Sequence, residues 1–389
     1  MISQDPVWFQ DMTHCTVLKA SKSKELLLCP DDSANVRSCY LIKTYYYPGL
    51  LTPIKYLFRK SKGLRELELA AEIGRRGIPT IVPEKIRDIR KWGFLQKSMT
   101  LTQQLPDCMD LEERLLKKGV QDRRLRRKII AEYGRLARLI HDQGVYQDDF
   151  DPNNILYQKH SDGTFKLYFL DFERTRITRE LSRPKRIHLL AKLSRMGRQM
   201  KRTDQLRFLK AYLGPETTQE EYQKWVGQIR QEAENIFLRD QRRAWKECIT
   251  TNSRIGFIKY GAYRGYYRKK HHSRKYYTRS DIIGVIRAIE KKDPDQTLTE
   301  IPPDAPFFSL TVQLDKGADT FTVRFFQYRG LGYRLKRAIK RSPLLAAWKT
   351  DNGYLKNRAA DFLPVAALEK DMGRNRYYGF LIRKGWSDA

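Results

Sequence analysis

Asp149, Asn154 and Asp171 are the residues of this chain whose types and spacing could do chemistry. The run His141-Asp-Gln-Gly-Val-Tyr-Gln-Asp-Asp149-Phe-Asp-Pro-Asn-Asn154 sets a carboxylate at 149 and an amide at 154. The apolar run Leu167-Tyr-Phe-Leu-Asp171 then ends in a second carboxylate. Oxygen groups of this kind can take a proton from a reacting hydroxyl or hold a hard cation. Asp and Asn also occur in loops simply because they make turns. The flanking elements favour the chemical use.

Those elements can be read from periodicity. Leu125, Ile129, Tyr133, Leu136 and Ile140 recur at helical steps, with Arg and Lys filling the opposite face. A polar loop follows from Gly144 to Asn154. Ile155–Tyr157 and Phe165–Leu170 then read as two strands joined by a turn at Asp162-Gly163. Upstream, Thr16 to Met99 is mostly strand, including Leu26–Leu28, Tyr40–Ile42 and a pair around Ile89 and Phe94. One helix interrupts it through Leu64, Leu67 and Ala71, and Gly77-Ile-Pro-Thr80 ends that helix. Residues 186–245 return to helical periodicity.

Helix, loop with D-x-x-x-x-N spacing, hairpin, and an apolar strand ending in Asp-Phe together resemble the protein-kinase-like superfamily. Phe172-Glu173 follows Asp171 where Phe-Gly is usual, and no Ala-Pro-Glu occurs downstream, so a long protein-substrate segment is missing. The wording at Gly144-Val-Tyr, Asn154-Ile-Leu, Leu170-Asp-Phe-Glu-Arg174 and Lys192-Leu-Ser-Arg195 is similar to the bacterial lipopolysaccharide core kinases, which phosphorylate heptose or Kdo sugars. The resemblance covers roughly residues 15–250. It implies ATP and Mg2+, Asp149 as the base, and Asn154 and Asp171 as metal ligands. Gln147 departs from it, standing where these kinases usually carry a scaffold His; Asp148 and Asp151 are extra acids, solvated or loop-positioning.

The resemblance also implies a nucleotide site in the first lobe. Lys43, read as closing the strand Tyr40-Leu-Ile-Lys, matches the lysine that holds the α- and β-phosphates. Glu66 is its expected partner, with Glu68 as a fallback. No G-x-G-x-x-G occurs, and the phosphate-covering hairpin Lys19-Ala-Ser-Lys-Ser-Lys-Glu25 uses Lys and Ser instead.

Across 389 residues, 76 Lys and Arg against 45 Asp and Glu give a net charge of +31, which favours a polyanionic partner. Lipopolysaccharide core or another phosphorylated glycan, an anionic membrane surface and nucleic acid all qualify. The cysteines (15, 29, 39, 108 and 248) are odd in number and form no C-x-x-C, which suggests neither a disulfide framework nor a zinc site and fits a reducing compartment. No apolar run approaches the ~20 residues of a membrane span. The N-terminus lacks the basic start and apolar run of a signal peptide. The expected place is cytoplasmic, peripheral at the inner face of the cytoplasmic membrane.

Residues 323–385 resemble 42–98. Ile42-Lys-Thr-Tyr-Tyr-Tyr-Pro-Gly49 faces Val323-Arg-Phe-Phe-Gln-Tyr-Arg-Gly330, and Gly93-Phe-Leu-Gln-Lys97 faces Gly379-Phe-Leu-Ile-Arg383. Arg324 then stands for Lys43 and Ala347 for Glu66, with no catalytic loop after them. Such a lobe should expose an apolar face meant for a missing partner lobe. Before it, residues 254–277 interleave cations with Tyr, which suits headgroups, phosphosugars or single-stranded nucleic acid, and equally a solvated strand face.

The expected architecture is an α+β, two-lobed protein-kinase-like fold with an appended incomplete N-lobe repeat. Its parts are an N-lobe at 1–106, a C-lobe with the catalytic loop at 107–245, and the basic Tyr-rich segment with the degenerate lobe at 246–389. The expected function is phosphoryl transfer from ATP to an inner-core sugar hydroxyl. The alternatives are a kinase for another small hydroxylated molecule, and a pseudokinase-like protein binding anionic lipid, glycan or RNA.

Overall fold

The computed structural model describes residues 14–21, 23–30, 39–48, 52, 55–117, 120–148, 150–193, 200–271, 274–291, 311–316, 319–329, 332, 342–356, 361–372 and 376–385. The chain divides into two compact units, Met1–Ala233 and Glu234–Ala389.

The first unit opens with an antiparallel sheet of β1 (Thr16–Ala20), β2 (Lys24–Pro30), β3 (Cys39–Tyr46), β4 (Lys85–Lys91) and β5 (Phe94–Gln103), in the order β1-β2-β3-β5-β4. Helix α1 (Lys62–Arg75) lies between β3 and β4 in sequence. In β3, alternation sends Ile42 into a small core with Leu27, Met99 and Leu101, while Tyr45 joins Leu95 in another. Lys43 sits in mid-strand, not at the strand end, because pairing to β5 continues through Tyr46.

The helical part follows β6 (Cys108–Asp110). Helix α2 (Arg123–Asp142) is capped by the Asp122 carboxylate, which accepts from Arg124 N at 2.7 Å. It buries Ile129, Tyr133, Leu136 and Ile140 on one stripe. The next elements are β7 (Val145–Gln147), β8 (Ile155–Lys159), β9 (Phe165–Phe169) and β10 (Thr175–Ile177), then α3 (Arg183–Leu193), α4 (Arg202–Leu213) and α5 (Gln219–Glu247). β7 pairs with β10, and β6, β8 and β9 form a three-stranded sheet. Gly134 lets α2 press on α4: a Cβ there would lie 2.4 Å from the Phe208 carbonyl oxygen.

The second unit carries β11 (Ile255–Tyr260), β12 (Tyr263–Arg268), the short pair β13 (Lys270–His271) and β14 (Arg274–Lys275), and α6 (Arg279–Lys291). It continues with β15 (Thr311–Lys316), β16 (Asp319–Arg329), α7 (Pro343–Lys356), β17 (Phe362–Asp371) and β18 (Arg376–Gly385). Six strands form one antiparallel sheet, β11-β12-β17-β18-β16-β15. Ile282, Val285, Ile286 and Ile289 of α6 share a core with Val323, Val365, Phe380 and Ile382. Leu344, Leu345 and Trp348 of α7 share another with Ile255, Phe326 and Leu381. Phe380 and Ile382 thus point to one face of β18 and Leu381 to the other, each face covered by a helix.

Three expectations need correction. The second sheet does not wait for a missing lobe, because α6 supplies the apolar cover for its open face. Within the Tyr-rich stretch, Tyr263, Tyr267 and Tyr277 are core residues, while Lys259 and Arg264 face outward. Cys15 and Cys29 form a disulfide. Thr16 opposes Leu28 in the β1–β2 pair, so the residue before β1 falls beside Cys29, an adjacency set by hairpin register and invisible to a motif search. Among the described residues no helix is long and apolar enough to cross a membrane.

Candidate active site

The site is assembled from a strand, a helix and a loop. Lys43 and Tyr45 project from the same face of β3, two residues apart. Helix α1 begins at Ser61, whose hydroxyl accepts from Leu64 N at 3.1 Å. Ser98 Oγ of β5 donates to that hydroxyl at 3.2 Å and itself accepts from Gly63 N at 3.2 Å. A Cβ on Gly63 would come within 2.4 Å of Ser98 Oγ, so glycine permits this seat on the sheet. From it, Glu66, one turn on, reaches back across the sheet. Lys43 Nζ lies 2.6 Å from Glu66 Oε1, and Tyr45 Oη donates to Glu66 Oε2 at 2.7 Å. Both carboxylate oxygens are engaged. Glu68 faces elsewhere and pairs with Lys60 on the exposed side.

Asp171 approaches from the far side. Its carboxylate Oδ1 is 3.9 Å from Lys43 Nζ, and Oδ2 is 3.8 Å from Lys24 Nζ. Lys24 also meets Glu173 Oε1 at 3.4 Å. Burial alone would depress the Lys43 ammonium, but Glu66 and Asp171 outweigh it and hold its pKa above the ordinary value. For Lys24, burial and then repulsion from Lys43 prevail over Asp171 and Glu173, and its pKa falls. Burial, then Glu66, pushes the Tyr45 phenol far up, so it remains a donor.

The loop geometry around Asp171 is held from several sides. Asp171 takes a left-handed φ of 61°, uncommon outside glycine but tolerated by Asp. Gln147 Nε2 donates to the Asp171 carbonyl at 2.5 Å, so an amide performs the tie at the position where the resemblance led us to expect an imidazole. Leu170 N donates to the Asn154 carbonyl at 2.8 Å, joining the 154 loop to the end of β9. The turn after α1 is anchored to β9 as well: Phe169 N donates to Pro79 O at 2.9 Å, and Thr80 Oγ1 donates to Phe169 O at 2.8 Å. Phe150 stacks on Tyr133 and Phe172 meets Phe169 edge-on, which pins both loops to the helical core.

Asp149 lies outside the described residues. Its neighbour Asp148 is tied to α3, with Lys192 Nζ at 2.5 Å and Tyr146 Oη donating at 3.0 Å. Burial would raise the Asp148 carboxyl, but Lys192 prevails and lowers it. Asn154 closes a 3-10 turn over Pro152–Asn154. Lys24, Tyr45 and Glu173 were not singled out from sequence. The roles of Lys24 and Tyr45 depend on cross-strand placement; the cues were Lys24's position in the Lys- and Ser-rich hairpin and Glu173 standing where glycine is usual.

A donor set for a divalent cation needs oxygen ligands with unspent acceptor capacity. Asp171 Oδ1 is buried and accepts no hydrogen bond, which fits that use. Beside the site, a cavity of about 500 Å³ is lined by Arg65, Tyr146, Asp148, Glu173, Arg174 and Arg176. Its two acids already face Lys192 and Lys24, leaving a basic wall.

Residues 53–212 match the family described as "Lipopolysaccharide kinase (Kdo/WaaP) family". No curated protein matches the chain. Among solved structures, "WaaP in complex with acyl carrier protein" is similar at 19% identity with a TM-score of 0.41, over 57% of this chain and 88% of that one. The resemblance read at residues 141–174 therefore holds. This segment has the kinase-like fold and makes the chain a phosphotransferase acting on a sugar hydroxyl.

Proposed function

We propose that the chain transfers the γ-phosphoryl group of ATP to a heptose or Kdo hydroxyl of the lipopolysaccharide inner core. The observation that carries this reading is the Lys43–Glu66 pair at 2.6 Å facing Asp171 at 3.9 Å, three residues from a strand, a helix and a loop converging on one point. Lys43 holds the α- and β-phosphates, with Glu66 and Tyr45 fixing its ammonium. Asp171 and Asn154 are the groups that would hold Mg2+, which supplies charge neutralisation on the phosphates. The Asp149 carboxylate takes the acceptor's hydroxyl proton. The alkoxide oxygen bonds to the γ-phosphorus as the bond from that phosphorus to the ADP oxygen breaks.

Kdo carries a carboxylate and a phosphorylated core carries phosphates, and the Arg65, Arg174 and Arg176 wall is suited to such anions. The net charge of +31 supports work at an anionic surface, the inner face of the cytoplasmic membrane. Residues 1–106 and 107–245 serve as the two catalytic lobes and 246–389 as a binding or scaffolding part. Labelled ATP offered with a panel of core oligosaccharides, and mass spectrometry for added phosphate, tests this reading. Transfer to a heptose or Kdo is expected. ATP binding without transfer to any core sugar would favour a binding protein, and transfer only to other small alcohols a different kinase.

A further inference from the structure

Lys24 is the residue of the site that no assigned role uses. In the β2–β3 register Lys24 opposes Tyr45 and Leu26 opposes Lys43, so Lys24 and Lys43 share a face as diagonal neighbours. Their ammonium groups stand 5.7 and 5.3 Å from the Tyr45 ring centroid. Both also reach one carboxylate, Lys24 at Asp171 Oδ2 and Lys43 at Oδ1. The backbone of Lys24 is fixed: Ser21 N donates to Lys24 O at 2.8 Å, and Lys24 N donates to Ser21 Oγ at 3.1 Å.

Two like charges this close, each largely withdrawn from water, require compensating negative charge. At rest Glu66, 2.6 Å from Lys43, and Asp171 and Glu173, both facing Lys24, supply it. A divalent cation on Asp171 would remove that carboxylate from Lys24; Glu66 is committed to Lys43, and Glu173, about two-fifths exposed, compensates weakly. The incoming anion that restores the balance is the nucleotide's polyphosphate. The hairpin before Lys24 also has no glycine-rich backbone cradle, so ammonium groups must do what amide N–H groups do elsewhere.

Building on the kinase reading above, we infer that Lys24 is a second phosphate-binding lysine, which leaves Asp171 for the terminal phosphates of the nucleotide and returns to Glu173 when they depart. Lys24 and Lys43 then form a clamp from adjacent strands, and Glu173, standing where glycine is usual, is the resting partner of Lys24.

The test is the affinity of the full-length protein for Mg-ATP and for adenosine, by calorimetry, in wild type, Lys24→Met and Lys24→Arg. Loss of a charge-assisted phosphate contact should weaken Mg-ATP by about ten- to a hundredfold. Adenosine affinity should stay unchanged, and Lys24→Arg should recover part of the loss. Equal loss of both ligands, or an unchanged ATP-to-adenosine ratio in Lys24→Met, would overturn the clamp while leaving the kinase reading intact. Wild-type protein that bound neither ligand would overturn the kinase reading itself, and the clamp with it.

Discussion

Two segments of the chain share a frame and differ in what they do with it. In the first unit β2-β3-β5-β4 surrounds α1 in sequence, and in the second β15-β16-β18-β17 surrounds α7 with the same strand order. Ser61 and Ser342 cap the two helices, accepting from Leu64 N at 3.1 Å and Leu345 N at 3.3 Å. Each serine lies eighteen residues after its strand cation, Lys43 or Arg324. Glu66 and Ala347 are both the fifth residue of their helix. The second helix moves its carboxylate one turn on, to Asp351, and spends both oxygens on the Arg383 fork at 2.7 and 2.8 Å. A frame held by caps and apolar packing survives without the chemistry. In the first unit the charges converge on Asp171; in the second, Asp351 gives both oxygens to Arg383.

The comparison breaks first at the loop acids. Asp149→Asn should lower transfer by about a thousandfold while sparing nucleotide affinity, because it removes a proton acceptor and no phosphate contact. Asp171→Asn should lose transfer and Mg-nucleotide affinity together. Wild-type turnover in both, measured by labelled phosphate transfer, would end the kinase reading. One step smaller, Glu66→Gln should cost about ten- to a hundredfold in transfer by releasing Lys43. Arg324→Met should leave transfer within about twofold, since the second segment carries Ala347 where the first carries Glu66. A loss at Arg324 as large as that at Glu66 would mean the second unit takes part in the chemistry.

How far the sequence reached follows the same division. The Lys43–Glu66 contact was foreshadowed by the family resemblance, with Glu68 as the fallback, and the structure brings Glu66 to Lys43. Contacts set by strand register were not. Lys24 comes beside Lys43, and Cys15 meets Cys29, only once β1, β2 and β3 are laid side by side, and no local pattern encodes that register. Gln147 was legible as a departure from the resemblance. Its function as an amide tie to the Asp171 carbonyl required the β7–β10 pairing. In the second unit the Tyr and cation alternation was visible, but its use, Tyr263 and Tyr267 inward, depended on which face α6 covers.

The closed pair of the second unit should prove structural. Asp351 is nearly buried, and burial raises its carboxyl pKa against the pull of Arg383. Desolvation that rivals attraction is the mark of a pair that is costly to break and cheap to replace. Asp351→Ala should lower stability by about 3 kcal/mol in denaturant titration, since it leaves the Arg383 fork without its partner. Asp351→Leu with Arg383→Met should recover most of that. If the double variant were no better than the single, the pair would contribute more than its own burial.

The smallest expected effect separates the units by pH. His141, at the end of α2, is buried, and Nδ1 shares a 2.9 Å hydrogen bond with Tyr212 Oη. Burial first, then the Arg186 cation, lowers its pKa from 6.5 to about 3, despite Asp142 nearby. The unfolded chain therefore binds a proton that the folded chain refuses between those two values. Stability contributed by neutral His141 is whole above 6.5 and is lost as pH falls toward about 3. At about pH 5 the loss should be roughly 2 kcal/mol. Asp351 works in the opposite sense. Its raised pKa means the folded state takes up a proton before the unfolded one, so mild acid does not destabilise the second unit through that group. Acid should thus open the first unit before the second, which proteolysis fragments or hydrogen exchange would resolve. His141→Phe keeps the ring packing against Phe150 and removes the proton site, so it should flatten the first unit's stability slope between about pH 6.5 and 5. An unchanged slope would assign the acid sensitivity to other groups.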